Sequence, residues 1–113
     1  MKEIKAIIRP SKLLEVTEEL HEIEGLPGVT ISEIKGFGKG KAKSSKDKIV
    51  FEMVEFIPRV QLEVVVDDDM VDEVVNVIQK YAHTGNTGDG KIFVSTIDEI
   101  IKIRTNERGR EGV

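Results

Sequence analysis

Two segments of this chain repeat one pattern of secondary structure, and a long insert separates them. Each segment starts with a short apolar stretch typical of a buried strand, continues with apolar residues at helical spacing, and ends in a second strand-like stretch. The resulting order is β-α-β, insert, β-α-β. It predicts an α+β fold of the ferredoxin-like βαββαβ type, a sandwich with a long loop between strands 2 and 3.

The spacing of apolar residues predicts the individual elements. Strands are expected over residues 3–9, 29–37, 60–66 and 92–94, and helices over residues 13–23 and 71–82. Ser11 is placed to cap the first helix, and Asp67–Asp69 is placed to cap the second. Ile97–Arg104 alternates apolar with charged residues, which predicts an extended segment, and the tail Asn106–Val113 is expected to fray.

Length and composition limit the class of protein. A chain of 113 residues fits a single domain, residues 1–113, with its helices on one sheet face. The other face also carries apolar residues, so we expect further copies of the chain to cover it in a closed ring. The absence of cysteine excludes disulfides and thiolate metal sites. No apolar run approaches the ~20 residues of a membrane helix, and the opening residues are too charged for a signal peptide, so a cytoplasmic location is expected.

The insert from Gly38 to Glu55 joins two strands that a tight hairpin could have connected. Loops longer than about 12–15 residues are uncommon and are usually functional or disordered. The candidate partner-binding residues of this loop carry basic or hydroxyl side chains: Lys41, Lys43, Ser44, Ser45, Lys46 and Lys48. Such a loop could contact an acidic partner, or it could be a solvated mobile segment.

The stretch Thr84–Lys91 is rich in glycine and ends in a lysine. Glycines let the backbone turn its N–H groups towards an anion, and Lys91 supplies a positive charge for a phosphate. It is not a Walker A loop, because Ile92 stands where a magnesium-binding hydroxyl is needed and a helix precedes the loop instead of following it. A helix cap at Gly85 followed by an Asp-Gly turn is the structural alternative.

Two further basic clusters could also bind phosphate. Lys35–Lys41 interleaves glycines with lysines, and Lys102 and Arg104 would lie on one face of an extended segment. Each cluster could equally be an ordinary solvated surface. His21 and His83 lack metal-ligand spacing, and no nucleophile stands with a base and an orienting acid. We therefore predict no catalytic residue and no metal site, and a protein that is not an enzyme.

Five stretches, taken in order, resemble the PII nitrogen-regulatory family across nearly the whole chain. They are MKEIKAIIRP (1–10), VTISEIKGFG (29–38), FIPRV (56–60), TGNTGDGKIFV (84–94) and IKIRT (101–105). The resemblance places the family's T-loop at about residues 38–56 and its B-loop at about residues 83–91. Its C-terminal segment would be residues 97–113.

The resemblance implies a homotrimer that binds ATP or ADP as a regulatory ligand in clefts between subunits, with Mg²⁺ accompanying ATP. The nucleotide-binding residues that it implies are Ile7, Thr30, Gly36, Phe37, Gly38, Lys39, Arg59, Val65, Thr87, Gly88, Asp89, Gly90, Lys91, Lys102 and Arg104. Residues 88–91 would hold the phosphates. Lys102 and Arg104 would come from the neighbouring subunit.

The insert departs from the family pattern at positions that carry function. Gly40 stands where the family has a glutamine that helps bind Mg²⁺ and 2-oxoglutarate, so we expect 2-oxoglutarate binding to be weakened. Arg59 matches a lysine that meets the 2-oxoglutarate carboxylate, and it could still serve. Glu52 and Val50 stand at the uridylylated and phosphorylated positions, which excludes both modifications there.

These observations predict an adenine-nucleotide-binding regulator of PII type that controls a membrane transporter or metabolic enzyme through its T-loop. The ammonium channel is the family's familiar partner, and the protein would reach the membrane only through such a partner. One alternative is a PII-like sensor of AMP, a cyclic nucleotide or bicarbonate. Others are a nucleotide hydrolase, which lacks an identifiable base, and an RNA-binding module. The net charge of -4 and an aromatic content of 4% oppose nucleic-acid binding.

Overall fold

The computed structural model describes residues 1–37 and 56–112. Its elements are β1 (Lys2–Ile8), α1 (Leu13–His21), β2 (Thr30–Gly36), β3 (Ile57–Val66), α2 (Val71–Ala82) and β4 (Lys91–Thr96). Short 3₁₀ helices lie at Pro10–Lys12, Asp68–Met70 and Gly109–Gly112. The predicted βαββαβ order and the α+β class are confirmed.

The four strands form one antiparallel sheet in the order β2-β3-β1-β4. Every second residue of β1 and of the inner part of β3 is buried, because successive side chains of a strand point to opposite faces. These residues pack against the apolar faces of the two helices. The core they form comprises Ile4, Ala6, Ile8, Val16, Leu20, Ile23, Val60, Leu62, Val64, Val66, Val74, Ile78 and Ala82.

Both α-helices pack on the core side, and we call the other face of the sheet the open face. Residues that lie directly opposite in an antiparallel pair share a face. Thr30 pairs with Glu63, and Lys91 pairs with Ile7. Glu63 and Ile7 alternate along their strands with the buried core residues, so both pairs lie on the open face. The strand residues predicted to contact nucleotide therefore all lie on this one face: Ile7, Thr30, Gly36, Arg59, Val65 and Lys91.

The helix starts differ from the predicted caps. Ser11 lies inside the 3₁₀ turn that Pro10 begins, and α1 starts only at Leu13 with no side-chain capping bond. Proline accounts for this, because its fixed φ suits the first position of a helical turn. The N-cap of α2 is Met70, again without a side-chain capping bond, and Asp68 pairs with the N-terminal amino group over 3.0 Å. The predicted cap at Ser11 is wrong, whereas Asp67 is the N-cap residue of the 3₁₀ turn before α2 but makes no side-chain capping bond.

The predicted extended segment Ile97–Arg104 is wrong at its end, because the chain turns back at Ile103–Thr105. The Asn106 N–H donates to the Lys102 carbonyl over 2.7 Å, and Ile101 forms a bridge with Arg108. Asn106 has a φ of 62°, a left-handed conformation that asparagine adopts more readily than most residues. Residues 106–112 are folded and not frayed. The Gly109 N–H donates to the Ile100 carbonyl over 3.1 Å.

Candidate functional site

The glycine loop, residues 84–91, follows the end of α2. The helix ends at Ala82, and His83 continues in an extended conformation with its N–H donating to the Gln79 carbonyl over 3.1 Å. Gly85 therefore does not cap the helix, so the alternative of a helix cap at this residue is wrong.

All glycines of the loop have positive φ values, which are strained for residues with a side chain. The values are 91° at Gly85, 100° at Gly88 and 102° at Gly90. At Gly90 the space is closed too, because a Cβ atom there would lie 1.7 Å from the Ile7 carbonyl oxygen. Only glycine allows the loop to approach the end of β1 this closely.

The carboxylate of Asp89 accepts hydrogen bonds from the start of the same loop. Its Oδ2 accepts the backbone N–H groups of Thr84 and Gly85, each over 2.8 Å, and its Oδ1 accepts the Thr84 hydroxyl. The Thr84 hydroxyl oxygen in turn accepts the Asn86 N–H over 3.1 Å. The sequence predicted Asp89 as a phosphate-holding residue, and the structure shows its carboxylate bonded within the loop.

These donors hold the pKa of Asp89 well below its ordinary value. The largest cause is the Thr84 hydroxyl, followed by the Thr84 N–H; the Gly85 N–H and the Arg9 side chain act in the same direction, and partial desolvation opposes them. Asp89 is therefore ionised at neutral pH, and its charge belongs to the loop's own hydrogen-bond network.

Arg9 is a residue of this site that the sequence did not single out. Its Nε lies 3.1 Å from Asp89 Oδ1, and its Nη2 donates to the Thr87 carbonyl over 2.8 Å. The alternation of side chains along β1 could have identified Arg9, because it lies two residues after Ile7 and therefore continues the row of residues on the open face. It follows the last residue of the strand and faces the glycine loop.

A cleft of about 410 Å³ lies between the glycine loop and the paired ends of β2 and β3. It is lined by Gly36, Phe37, Ile57, Arg59, Asn86, Gly88, Asp89, Gly90 and Lys91. All of these except Ile57 and Asn86 were predicted from the sequence. The structure thus brings together three stretches that are far apart along the chain.

Arg59 and Lys91 supply the positive charge of this cleft. The Arg59 Nη1 donates to the Pro58 carbonyl over 2.9 Å, and its Nη2 lies 3.2 Å from the place where a Cβ of Gly88 would stand. At the mouth of the insert, the rings of Phe37 and Phe56 meet edge to face with centroids 5.6 Å apart.

Thr30 and Val65 lie elsewhere. They line a second cleft of about 240 Å³ together with Glu3, Glu63 and Ile100, among others. The lining residues of the two clefts that lie nearest each other along β3 are Arg59 and Glu63, which are separated by roughly 13 Å at ~3.3 Å per residue. One chain therefore presents two separate groups of predicted nucleotide-binding residues.

The remaining predicted residues have other positions. Ile7 pairs with Lys91, and its carbonyl contacts the glycine loop. The Thr87 carbonyl is bonded to Arg9, and Arg104 is exposed in the turn that follows Lys102. The predictions that fall outside the described residues concern Gly38, Lys39, Lys41, Lys43, Ser44, Ser45, Lys46 and Lys48.

Within residues 1–37 and 56–112, no group of three or more histidine, cysteine or acidic side chains is arranged to hold a metal ion. His21 ends α1 and His83 follows α2. The charge of the cleft comes from Arg59, Lys91 and Asp89.

The fold and this site define a class of protein: a ferredoxin-like α+β protein with a left-handed glycine loop and a basic cleft at one end of its open sheet face. The model of the family "Nitrogen regulatory protein P-II" matches residues 1–107. The chain belongs to this family, whose members are signalling regulators.

Individual relatives agree with the family. The chain is 46% identical to the nitrogen regulatory protein P-II of Azospirillum brasilense and 49% identical to that of Rhodospirillum rubrum, in both cases over 100% of each chain. It is 48% identical to nitrogen regulatory protein P-II 1 of Escherichia coli over 95% of each chain. The crystal structure of Arabidopsis thaliana PII bound to citrate matches with a TM-score of 0.77 and 35% identity, covering 99% of this chain and 91% of that one.

No helix in the part of the chain that the structure describes combines the length and the apolar character needed to cross a bilayer.

Proposed function

We propose that this protein is a regulator that binds the phosphates of ATP or ADP at the glycine loop and reports nucleotide occupancy to a partner protein. The observation that carries the proposal is the cleft in which Gly88 and Gly90 adopt positive φ values beside Lys91 and Arg59. A glycine-rich backbone that can turn N–H groups towards a ligand, together with two cations, favours an anionic ligand of several negative charges.

The loop's own chemistry supports a phosphate over a neutral ligand. Asp89 would repel phosphate if its carboxylate were free, but its oxygens accept hydrogen bonds from two N–H groups of the loop and from the Arg9 side chain. Lys91 and Arg59 retain donors for the ligand, with Lys91 acting as a point charge and Arg59 as a planar fork.

The two separate clefts support an assembly in which subunits complete one another's sites. A heterologous contact in a closed ring places one end of a subunit against the other end of its neighbour. Thr30 and Val65, with Lys102 and Arg104, would then face the glycine loop of the next subunit and contact the nucleotide. A trimer is the ring that the family resemblance implies, and it would also cover the open face.

The output would pass through the insert. Nucleotide binding can change a partner's affinity only if the nucleotide binds two states of the protein differently. Gly36 and Phe37 line the cleft and directly precede the insert. Phe56 directly follows the insert, and its ring contacts the ring of Phe37. We propose that the lysine-rich insert contacts a membrane transporter or a metabolic enzyme, and that the protein acts in the cytoplasm as a regulator without turnover of its own.

Calorimetry on the purified full chain tests the ligand. ATP, ADP, AMP and cyclic AMP are titrated with and without Mg²⁺, and then with 2-oxoglutarate, citrate or bicarbonate added. We expect ATP or ADP to bind, and Lys91→Ala to abolish binding, while Lys12→Ala leaves it unchanged. Lys12 is the matched control because it lies outside the site and pairs only weakly, with Glu15 at 3.9 Å.

Other outcomes of the same titrations identify the rivals. Preferred binding of AMP, cyclic AMP or bicarbonate makes the protein a sensor of that ligand. If adding 2-oxoglutarate does not tighten nucleotide binding, the result agrees with the loss of an oxygen ligand at Gly40. Steady phosphate release that Lys91→Ala abolishes would make the protein a hydrolase, and the absence of any anion binding would refute the proposal.

A further inference from the structure

We propose that Arg9 is a positioning residue that sets the shape of the glycine loop through Asp89 and the Thr87 carbonyl. This rests on the proposed function only in that the loop is taken to hold phosphate. The guanidinium reaches two points of the loop at once, with Nε 3.1 Å from Asp89 Oδ1 and Nη2 2.8 Å from the Thr87 oxygen.

The ion pair is well placed to control the loop. Both side chains are largely shielded, with 26% of Arg9 and 22% of Asp89 exposed. Asp89 extends the effect to the start of the loop by accepting the Thr84 and Gly85 N–H groups. One guanidinium immediately after β1 therefore connects to the beginning, middle and end of the loop.

Two guanidinium groups lie on the side of Gly88 where a Cβ atom would project. A Cβ atom at this residue would lie 3.3 Å from Arg9 Nη2 and 3.2 Å from Arg59 Nη2. Arg59 bonds only its neighbour's carbonyl among the contacts of the described chain, whereas Arg9 has both of its arms engaged by the loop. The two arginines thus differ in their contacts: Arg59 lines the cleft, and Arg9 bonds the loop.

A double-mutant cycle separates positioning from direct binding. If Arg9 acts through Asp89, then Arg9→Gln and Asp89→Asn each weaken ADP binding roughly tenfold, which is the effect of losing a charged hydrogen bond. The double variant then binds ADP no more weakly than the single variant with the larger loss. If Arg9 instead binds phosphate directly, Asp89→Asn frees it and tightens binding, and Arg9→Gln weakens binding regardless of Asp89. Either of these results overturns the proposal.

Two further variants separate the hydrogen bonds of Arg9 from its positive charge. Arg9→Lys keeps the charge but cannot reach both partners, so we expect it to behave like Arg9→Gln; binding as tight as in the unmodified chain would overturn the proposal. Lys12→Gln removes one positive charge from the next turn of the chain without touching the loop, and we expect a change below twofold.

An NMR measurement tests the positioning without any nucleotide. The amide signals of Thr84 and Gly85 report their bonds to Asp89, and we expect both to shift and to exchange faster with solvent in Arg9→Lys and Arg9→Gln. Unchanged amide signals would overturn the positioning role. If the unmodified chain binds no nucleotide at all, the proposed function fails, and the amide signals still decide whether Arg9 shapes the loop.

Discussion

Replacing Gly90 by alanine should destabilise the protein more than any other single methyl group added to the glycine loop. The new Cβ would stand 1.7 Å from the Ile7 carbonyl oxygen, whereas real Cβ contacts stay at 3.0 Å or more. Relief requires the loop to move away from β1, at the point where Ile7 pairs with Lys91.

The magnitude follows from two contributions. A left-handed conformation costs a residue with a side chain about 1–2 kcal/mol, and φ at Gly90 is 102°. Parting the strand ends removes one or two ladder hydrogen bonds at about 0.5–1.5 kcal/mol each. Gly90→Ala should therefore lower the free energy of unfolding by about 2–5 kcal/mol, a large part of the roughly 5–15 kcal/mol of a typical domain.

Gly85→Ala is the matched control. Its φ of 91° carries similar backbone strain, but the nearest atoms to a new Cβ are those of the His83 ring at 3.8 Å. We expect a loss of only about 1–2 kcal/mol. Urea unfolding of both variants at one protein concentration measures the difference, since the stability of an oligomer depends on concentration. Equal losses would refute the argument that contact with the Ile7 carbonyl requires glycine at this position.

Two further predictions concern the core and the pH dependence. Leu62 is 1% exposed, so Leu62→Ala should lower the free energy of unfolding by about 2–5 kcal/mol, measured by urea unfolding. Leu14 is 71% exposed, so Leu14→Ala should change it by less than about 0.5 kcal/mol. Similar losses in the two variants would contradict the assigned core. Because the folded-state pKa of Asp89 is depressed below 3.8, its ionisation stabilises the fold above that pH, and this stabilisation is lost as the pH falls through the folded-state value. Asp89→Asn should therefore be less stable at neutral pH and show a shallower loss of stability on acidification, and an unchanged acid unfolding curve would contradict the network around this carboxylate.

The elements of the fold were predictable because their signals are local. Alternation along β1 and β3 and helical spacing along α2 each report which face is buried, so the order of elements and nearly every strand could be derived from the sequence. Whether Ser11 and Asp67–Asp69 make side-chain capping bonds was not predictable in this way. Whether a side chain bonds the first turn depends on the path of the chain before it, which a 3₁₀ turn changed in both places.

The candidate site was only partly predictable. The glycines and Lys91 have a local signature, but the partners of Asp89 depend on where β1 ends. Arg9 and Asp89 are 80 residues apart in sequence and meet only because β1 and β4 are neighbours in the sheet. The turn at Ile103–Thr105 likewise replaced an extended segment, since alternation of residue types does not reveal a left-handed Asn106.

The sequence by itself determined the class of fold, the buried faces and the residue types of the glycine loop, because these depend on periodicity and on the conformational freedom of glycine. Only the tertiary structure decided that Asp89 bonds its own loop, that Arg9 supports it, and that the predicted ligand residues divide between two clefts at opposite ends of the open face. The physical reason is that these properties depend on strand order and register, which bring distant residues together and which no local pattern specifies.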